Sequence, residues 1–335
     1  MKLISIISPC FNEEGNVREL RDAIRAVFAA MPQYDYEHIF IDNASRDRTA
    51  TILRELAAED KHVRVILNAR NFGHIRSPQH ALMQTRGDAV ICMASDFQDP
   101  PALIADFIAK WEQGYRIVLG VKATSDETLL LSQVRRAYYR FIKRLSDIDV
   151  VENATGFGLL DRAVVEAMRR IDDPYPYGRG LLAEIGFEAA RIPFHKPARR
   201  RGITKNNFYT LYDLAMLGIT NHSRIPLRIA TMLGFIMSLL SLLMAIGYLI
   251  AKLLLWYYFP VGIAPVLIVI FFFASVQLFF IGILGEYIGT ILTQVQKRPL
   301  VIEKERINFD VPGTDAPRAS AQPQPSSQES APPAA

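Results

Sequence analysis

Leu3-Ile4-Ser5-Ile6-Ile7-Ser8-Pro9-Cys10-Phe11-Asn12-Glu13-Glu14 opens the chain with a β-branched apolar run that breaks into a polar turn at Pro9. A short apolar run bounded by such a turn predicts a buried strand. The pattern recurs. His38–Ile41 runs into Asp42-Asn43-Ala44-Ser45-Arg46-Asp47, and Ala89–Met93 runs into Ala94-Ser95-Asp96-Phe97-Gln98-Asp99-Pro100-Pro101. Val63–Leu67 and Ile117–Gly120 also read as strands, whereas Glu19–Ala30, Thr49–Ala58, Gln79–Gln84 and Ala102–Trp111 carry helical spacing. Short buried strands alternating with helices predict βαβ units and an α/β fold with a mostly parallel sheet. Ligands of such sheets sit at the carboxyl ends of the strands, and all three polar motifs fall there.

The bulk composition agrees with a folded domain plus something more apolar. Half of the 335 residues are hydrophobic and 21% are charged, rich for a purely soluble protein. The net charge of +4 is too small an excess to argue for nucleic acid as a partner. Cys10 and Cys92 both lie in apolar runs and read as buried thiols of a reducing compartment. The opening run is too short for a signal peptide, so no cleavable export is expected.

Past residue 215 the pattern changes. Ile229–Ile250 and Ile263–Gly285 carry no formal charge, and each is long enough to cross roughly 30 Å of hydrocarbon as a helix. The expected layout is a globular domain over 1–215, then a juxtamembrane segment and two spans over 216–300. The spans are placed at about 229–251 and about 262–293, and a disordered tail rich in Pro, Ala, Ser and Gln at 310–335. Arg224, Arg228, Lys297, Arg298, Lys304 and Arg306 flank the spans, and the loop between them holds only Lys252 beside Trp256, Tyr257 and Tyr258. The positive-inside rule then puts both termini and the globular domain in the cytoplasm, on a multi-pass protein of the inner membrane. Gly282, Gly285 and Gly289 would let membrane helices approach closely, the basis for expecting a homo-oligomer.

Each polar motif has a plain structural reading as a strand end followed by a helix cap. Their chemistry suggests more. Acidic and amide groups at a strand end can accept hydrogen bonds from a base or ribose. Asp96 and Asp99 with Gln98 could hold a hard cation, and Mg²⁺ binds through one or two carboxylates plus substrate phosphates.

In this order the motifs resemble glycosyltransferase family 2, a GT-A (Rossmann-like) fold, in its polyprenyl-phosphate branch. Later segments extend the likeness to about Phe309: Thr155-Gly-Phe-Gly-Leu-Leu-Asp-Arg162, Arg199-Arg-Arg-Gly-Ile-Thr-Lys205, and Gly285-Glu-Tyr-Ile-Gly289 running to Lys297-Arg298-Pro299. The resemblance implies that Pro9, Phe11, Glu13, Ile41, Asp42 and Asn43 cradle the nucleoside of a nucleotide-sugar donor. It implies that Ser95, Asp96 and Gln98 meet the diphosphate and that Asp96 and Gln98 hold Mg²⁺ or Mn²⁺. It further implies that Arg199 and Lys205 clamp phosphate oxygens and that Arg135 and Arg136 face the acceptor phosphate. Three positions depart from the family's usual pattern: Ala94 and Asn43 replace aspartates, and Gly158 replaces an arginine.

A phosphate monoester is already an anionic nucleophile and needs no general base, unlike a hydroxyl acceptor. Basic and apolar residues interleave over Leu129–Leu145 as on an interfacial amphipathic helix, and Phe208–Ile219 is apolar enough to dock beside the first span. The expected reaction is inverting transfer of a hexose-type sugar to a polyisoprenyl phosphate at the membrane, feeding cell-envelope glycan or lipopolysaccharide modification. The alternatives are transfer to another lipid or lipid-linked oligosaccharide, or a degenerate transferase serving as a membrane scaffold.

Overall fold

The computed structural model describes residues 1–122, 151, 154–197, 213, 216–221, 223–254 and 263–309. Among them the strands are β1 (Lys2–Cys10), β2 (Tyr34–Asp42), β3 (Val63–Asn68), β4 (Ala89–Cys92), β5 (Ile117–Lys122), β6 (Ala154–Asp161), β7 (Ala189–Phe194) and β8 (Glu303–Ile307). The helices are α1 (Val17–Ala29), α2 (Thr49–Glu59), α3 (Gly73–Met83), α4 (Leu103–Glu112), α5 (Arg162–Ile171), α6 (Gly178–Ile185), α7 (Ile225–Leu254) and α8 (Ile263–Gln296).

The strands form one sheet in the order β7-β5-β6-β4-β1-β2-β3-β8. β4, β1, β2 and β3 run parallel, as the alternation of strand and helix predicts, whereas β6 and β8 are antiparallel to their neighbours. Strand alternation sorts the core into two layers. Ile4, Ile6, Phe40, Val65 and Ile91 meet α1, α2 and α4 on one face. Ile7, Ile39, Ile41, Ile66 and Val90 fill the other, with Ala81, Val164 and Leu181 of α3, α5 and α6. On α1 the buried side chains are Val17, Leu20, Arg21, Ile24 and Phe28, one stripe at helical spacing.

Three local features differ from the sequence expectation. β2 starts at Tyr34, not His38, because its polar first half pairs in register with Lys2–Ser5 of β1. α3 starts at Gly73, ahead of Pro78, not at Gln79. Its first turns are held from outside by Asn43 Nδ2 on the Gly73 carbonyl and Asn68 Nδ2 on Ser77 Oγ. The chain beyond the second span does not simply trail away: Glu303–Ile307 returns to the sheet as β8, antiparallel to β3.

α7 and α8, 30 and 34 residues long, are exposed along their apolar length and are long and apolar enough to cross a membrane. α7 extends beyond the expected 229–251 at both ends, and α8 starts one residue after and ends three residues after the expected 262–293. The polar end of α8 meets the segment before α7 and the globular part. Tyr287 Oη donates to the Ser223 carbonyl at 2.6 Å, Thr290 Oγ1 to Thr220 Oγ1 at 2.9 Å, and Gln294 Nε2 to Asp173 Oδ1 at 2.8 Å. Of Phe208–Ile219, residues 213 and 216–219 are described and helical, and Leu129–Leu145 lies outside the described residues.

Gly158 pairs with Cys92 on one side and Leu119 on the other. A Cβ there would stand 2.4 Å from the Val118 carbonyl oxygen, so the strand excludes the arginine of the family pattern for want of space. Gly158→Ala should therefore cost about 1–3 kcal/mol by overpacking, read as a lowered melting temperature of the purified protein. A melt equal to wild type would contradict this packing.

Candidate functional site

The three polar motifs meet because β1 is flanked by β2 and β4. In the parallel register Pro9 lies beside Ile41, Cys10 beside Asp42, and Ile7 beside Cys92, so all three chains leave the sheet at one edge. Neighbouring strands are about 4.8 Å apart, which places the exits on one short ridge. Each motif then contains a left-handed residue that is not glycine: Asn12 at φ 59°, Ala44 at φ 60° and Phe97 at φ 59°. Ala44 and Phe97 lack the local side-chain bond that makes this conformation tolerable for asparagine. Strain of this kind persists where surrounding contacts over-determine it, and it concentrates at ligand sites.

The over-determination is visible. The Asn12 N–H donates to Ser45 Oγ at 2.8 Å, and Asn12 Oδ1 accepts from the Arg46 N–H at 2.8 Å. The Glu13 N–H donates to Thr49 Oγ1 at 2.8 Å, and the Arg48 N–H to Glu14 Oε2 at 2.9 Å. The first two turns are thus stitched together, and Ser95 Oγ adds the third by donating to the Pro9 carbonyl at 3.0 Å.

Within this frame the expected site residues fall into three groups. Asp42 is buried at the end of β2 and accepts from the Ser45 N–H at 3.0 Å and from Ser45 Oγ. Burial raises its pKa, opposed by the Ser45 bonds. Pro9 and Phe11 are part-exposed beside it, and Glu13 Oε2 accepts from Asn16 Nδ2 at 2.5 Å. Ile41 is fully buried among the α3-side core, so only its backbone can face a ligand. Arg135, Arg136, Arg199 and Lys205 lie outside the described residues.

Asn43 does something that its spacing alone does not reveal. Its Nδ2 donates to the Gly73 carbonyl at 3.0 Å, while its Oδ1 accepts from the Phe72 N–H at 2.8 Å and from Asn68 Nδ2 at 3.2 Å. The amide bolts the end of β2 to the start of α3. An aspartate could accept the last two bonds but could not donate the first, so the departure from the family's aspartate has a structural cause in this chain.

The third motif is arranged around Asp99. Its Oδ2 accepts from the Ala94 N–H at 2.9 Å, closing the turn across the position that lacks a carboxylate. Its Oδ1 is buried without a partner among the described residues. Burial pushes its pKa up to about 6. Asp96 is buried, its Oδ1 accepting from the Gln98 N–H at 3.2 Å, and Gln98 Nε2 donates to the Pro197 carbonyl at 3.4 Å. No cluster of three His, Cys, Asp or Glu ligands occurs among the described residues. Asp96, Gln98 and Asp99, whose Oδ1 has no partner among the described residues, are nonetheless oxygen donors of the type that a hard divalent cation takes. Burial also pushes the Cys10 and Cys92 thiols up, Cys92 to about 12, which removes both as nucleophiles.

Comparison with known proteins accords with this geometry. Residues 5–169 match glycosyl transferase family 2. The chain is 32% identical over 307 residues to an uncharacterised glycosyltransferase, YkcC, of Bacillus subtilis, covering 91% of this chain and 94% of the relative. It is 33% identical over 304 residues to the SfII prophage-derived bactoprenol glucosyl transferase of Shigella flexneri, covering 90% and 97%. Among solved structures it resembles glucosyl-3-phosphoglycerate synthase of Mycobacterium tuberculosis, a complex with Mn²⁺, UDP and phosphoglyceric acid. That likeness is at 19% identity and a TM-score of 0.45, covering 65% of this chain and 76% of the other.

Two substitutions test the site's architecture. Asn43→Asp should destabilise the fold by about 1–3 kcal/mol in thermal or urea melts, because a carboxylate oxygen replaces a donor against the Gly73 carbonyl. Asp99→Asn tests the buried acid. A folded-state pKa of about 6 lies above the unfolded value near 3.9, so the folded chain holds this proton more tightly. That stabilisation is complete below pH 4 and is lost as pH rises through about 6. In metal-free buffer, the melting temperature of Asp99→Asn minus that of wild type should rise between pH 4 and pH 7. A flat difference would contradict a buried, unpartnered Asp99.

Proposed function

This chain belongs to glycosyltransferase family 2, and we propose on that premise that it transfers a sugar from a nucleotide-diphosphate donor to a polyisoprenyl phosphate at a membrane surface. The observation that carries this function is the strand-end ridge, three stitched turns ending in Asp42 and Asp96, together with two long apolar helices in the same chain. The similarity to bactoprenol glucosyl transferases over nine-tenths of the chain supports the lipid acceptor.

In this reading Pro9, Phe11, Glu13 and Asp42 line the nucleoside end, with Asn43 supporting them through α3. Asp96 and Gln98, with the free oxygen of Asp99, hold a divalent cation, Mg²⁺ or Mn²⁺. When bound, the cation supplies neutralising charge to the leaving diphosphate. Arg199 and Lys205 bind phosphate oxygens, and Arg135 and Arg136 bind the acceptor phosphate by charge-assisted hydrogen bonds. One oxygen of the lipid phosphate attacks the anomeric carbon. The bond from that carbon to the donor diphosphate breaks, the nucleoside diphosphate leaves, and the anomeric configuration inverts. The acceptor enters as an anion, so no side chain has to remove a proton from it.

α7 and α8 anchor the chain in the cytoplasmic membrane, with the catalytic domain and both termini on the cytoplasmic side. A lipid-linked sugar made there serves cell-envelope glycan modification. The structural role of Asn43 against the Gly73 carbonyl supports the enzymatic reading over the scaffold alternative.

The test is transfer of label from nucleotide sugars to undecaprenyl phosphate in detergent with Mg²⁺ or Mn²⁺, scored for a lipid product labile to mild acid. Asp96→Asn should lower kcat/KM at least about 100-fold, roughly 2.7 kcal/mol in transition-state terms, while leaving the melting temperature within a few degrees. Unchanged transfer by Asp96→Asn would overturn the assignment of Asp96. A product found only with other lipids would overturn the acceptor.

A further inference from the structure

The six residues between α8 and β8 do not act as a loose tail. Lys297 takes a left-handed φ of 43° and ends the helix. The Pro299 carbonyl accepts from Arg76 of α3 at 3.0 Å, Val301 is buried, and the Ile302 carbonyl accepts from the Ala69 N–H at 2.9 Å. β8 then pairs with β3, Glu303 beside Asn68 and Ile307 beside Val65.

Side chains lock this return at several independent points. Arg54 of α2 grips Glu305 through Nε at 3.1 Å and a terminal nitrogen at 2.6 Å. His80 of α3 and Arg306 both bond Glu303, at 2.5 and 2.8 Å. Burial alone would raise the pKa of Glu303, but the bonds from His80 and Arg306 outweigh it and hold the carboxyl down at about 2. Beyond the strand, Asn308 Nδ2 donates to the carbonyls of Ala57 and Val63 at 2.6 and 2.8 Å. Isolated surface ion pairs contribute little, but a network on a paired strand fixes geometry.

The sense of the strand matters most. β8 is antiparallel to β3, so it enters the sheet beside Asn68, at the carboxyl end of β3. That is the edge where β1, β2 and β4 deliver the site. From Gln296 to Glu303 the chain can span at most about 25 Å when fully extended. The second span is therefore tied by a short, locked strap to the site-bearing edge of the sheet and to α3. The same α3 is bolted at its first residue to Asn43.

We propose that residues 297–308 are a strap that holds the strand-end site at a fixed height and attitude over the membrane. Arg54, Arg76, His80, Glu303 and Glu305 are then positioning residues for an acceptor that resides in the bilayer, and not for the donor. The proposal rests on the membrane-bound transferase reading and is tested so that the two can fail separately.

The test lengthens the strap without removing any of its contacts, by inserting Gly-Ser-Gly-Ser between Lys297 and Arg298 of the full-length chain. Wild type and the insertion are reconstituted in liposomes with acceptor-dye lipid headgroups, each carrying an Arg46→Cys dye on the strand-end edge for the distance measurement only, and activity is read on the same two proteins without that substitution or dye. Energy transfer to the headgroups should fall in the insertion. Transfer from UDP-glucose, used as donor probe, to undecaprenyl phosphate in the bilayer should fall about tenfold or more. Transfer to the water-soluble short-chain acceptor citronellyl phosphate, and KM for the donor, should stay within about twofold. A second variant, Glu303→Ala with Glu305→Ala, should behave alike if it melts near wild type. Unchanged energy transfer to the headgroups, or equal loss on both acceptors, would overturn the strap. Energy transfer that falls as expected, in a wild type that glycosylates neither acceptor, would sustain the strap and sink the transferase reading.

Discussion

Everything at the site depends on the parallel register of β1 with β2, which sets Cys10 beside Asp42 and brings two polar turns out of the sheet at one level. Parallel pairing alone would leave those turns free to diverge. The cross-bonds from Asn12, Glu13 and Glu14 to the 45–49 turn prevent that. They also hold Ala44 in a left-handed conformation that its own side chain does not favour. The third turn joins through Ser95 on the Pro9 carbonyl. A pre-formed ridge of backbone and carboxylates results.

Much of this was legible in the sequence, for a physical reason. Runs such as Leu3–Ser8 and Ala89–Met93 are β-branched and end abruptly in polar residues, so both the strand and its carboxyl end are marked locally. The two spans are marked by length and lack of charge. What escaped depends on partners far along the chain. The donor direction of Asn43 is decided by the Gly73 carbonyl, thirty residues away. β8 reads Glu-Lys-Glu-Arg-Ile and offers no alternation of apolar residues, because an edge strand held by ion pairs needs none. The start of α3 was hidden by Pro78, which sits inside the helix, while Asn43 and Asn68 of other elements hold its first turns. Gly158 reads as a lost arginine until the Val118 carbonyl shows that no side chain fits.

The departures from the family pattern therefore have different meanings. Asn43 and Gly158 are demanded by packing and hydrogen-bond direction. Ala94 is different: the turn is closed there by Asp99 on the Ala94 N–H. The third turn is left with two carboxylates, and each accepts a backbone N–H, Asp96 from Gln98 and Asp99 from Ala94.

The account's central claim is that this ridge binds the diphosphate of a nucleotide sugar through Asp96 and a divalent cation. Titration calorimetry of the purified chain with UDP and GDP, with Mg²⁺ and with chelator, addresses it most directly. The account predicts saturable binding of at least one nucleoside diphosphate that weakens at least tenfold in chelator and in Asp96→Asn. Binding that is indifferent to both, or absent for every nucleoside diphosphate, would contradict it.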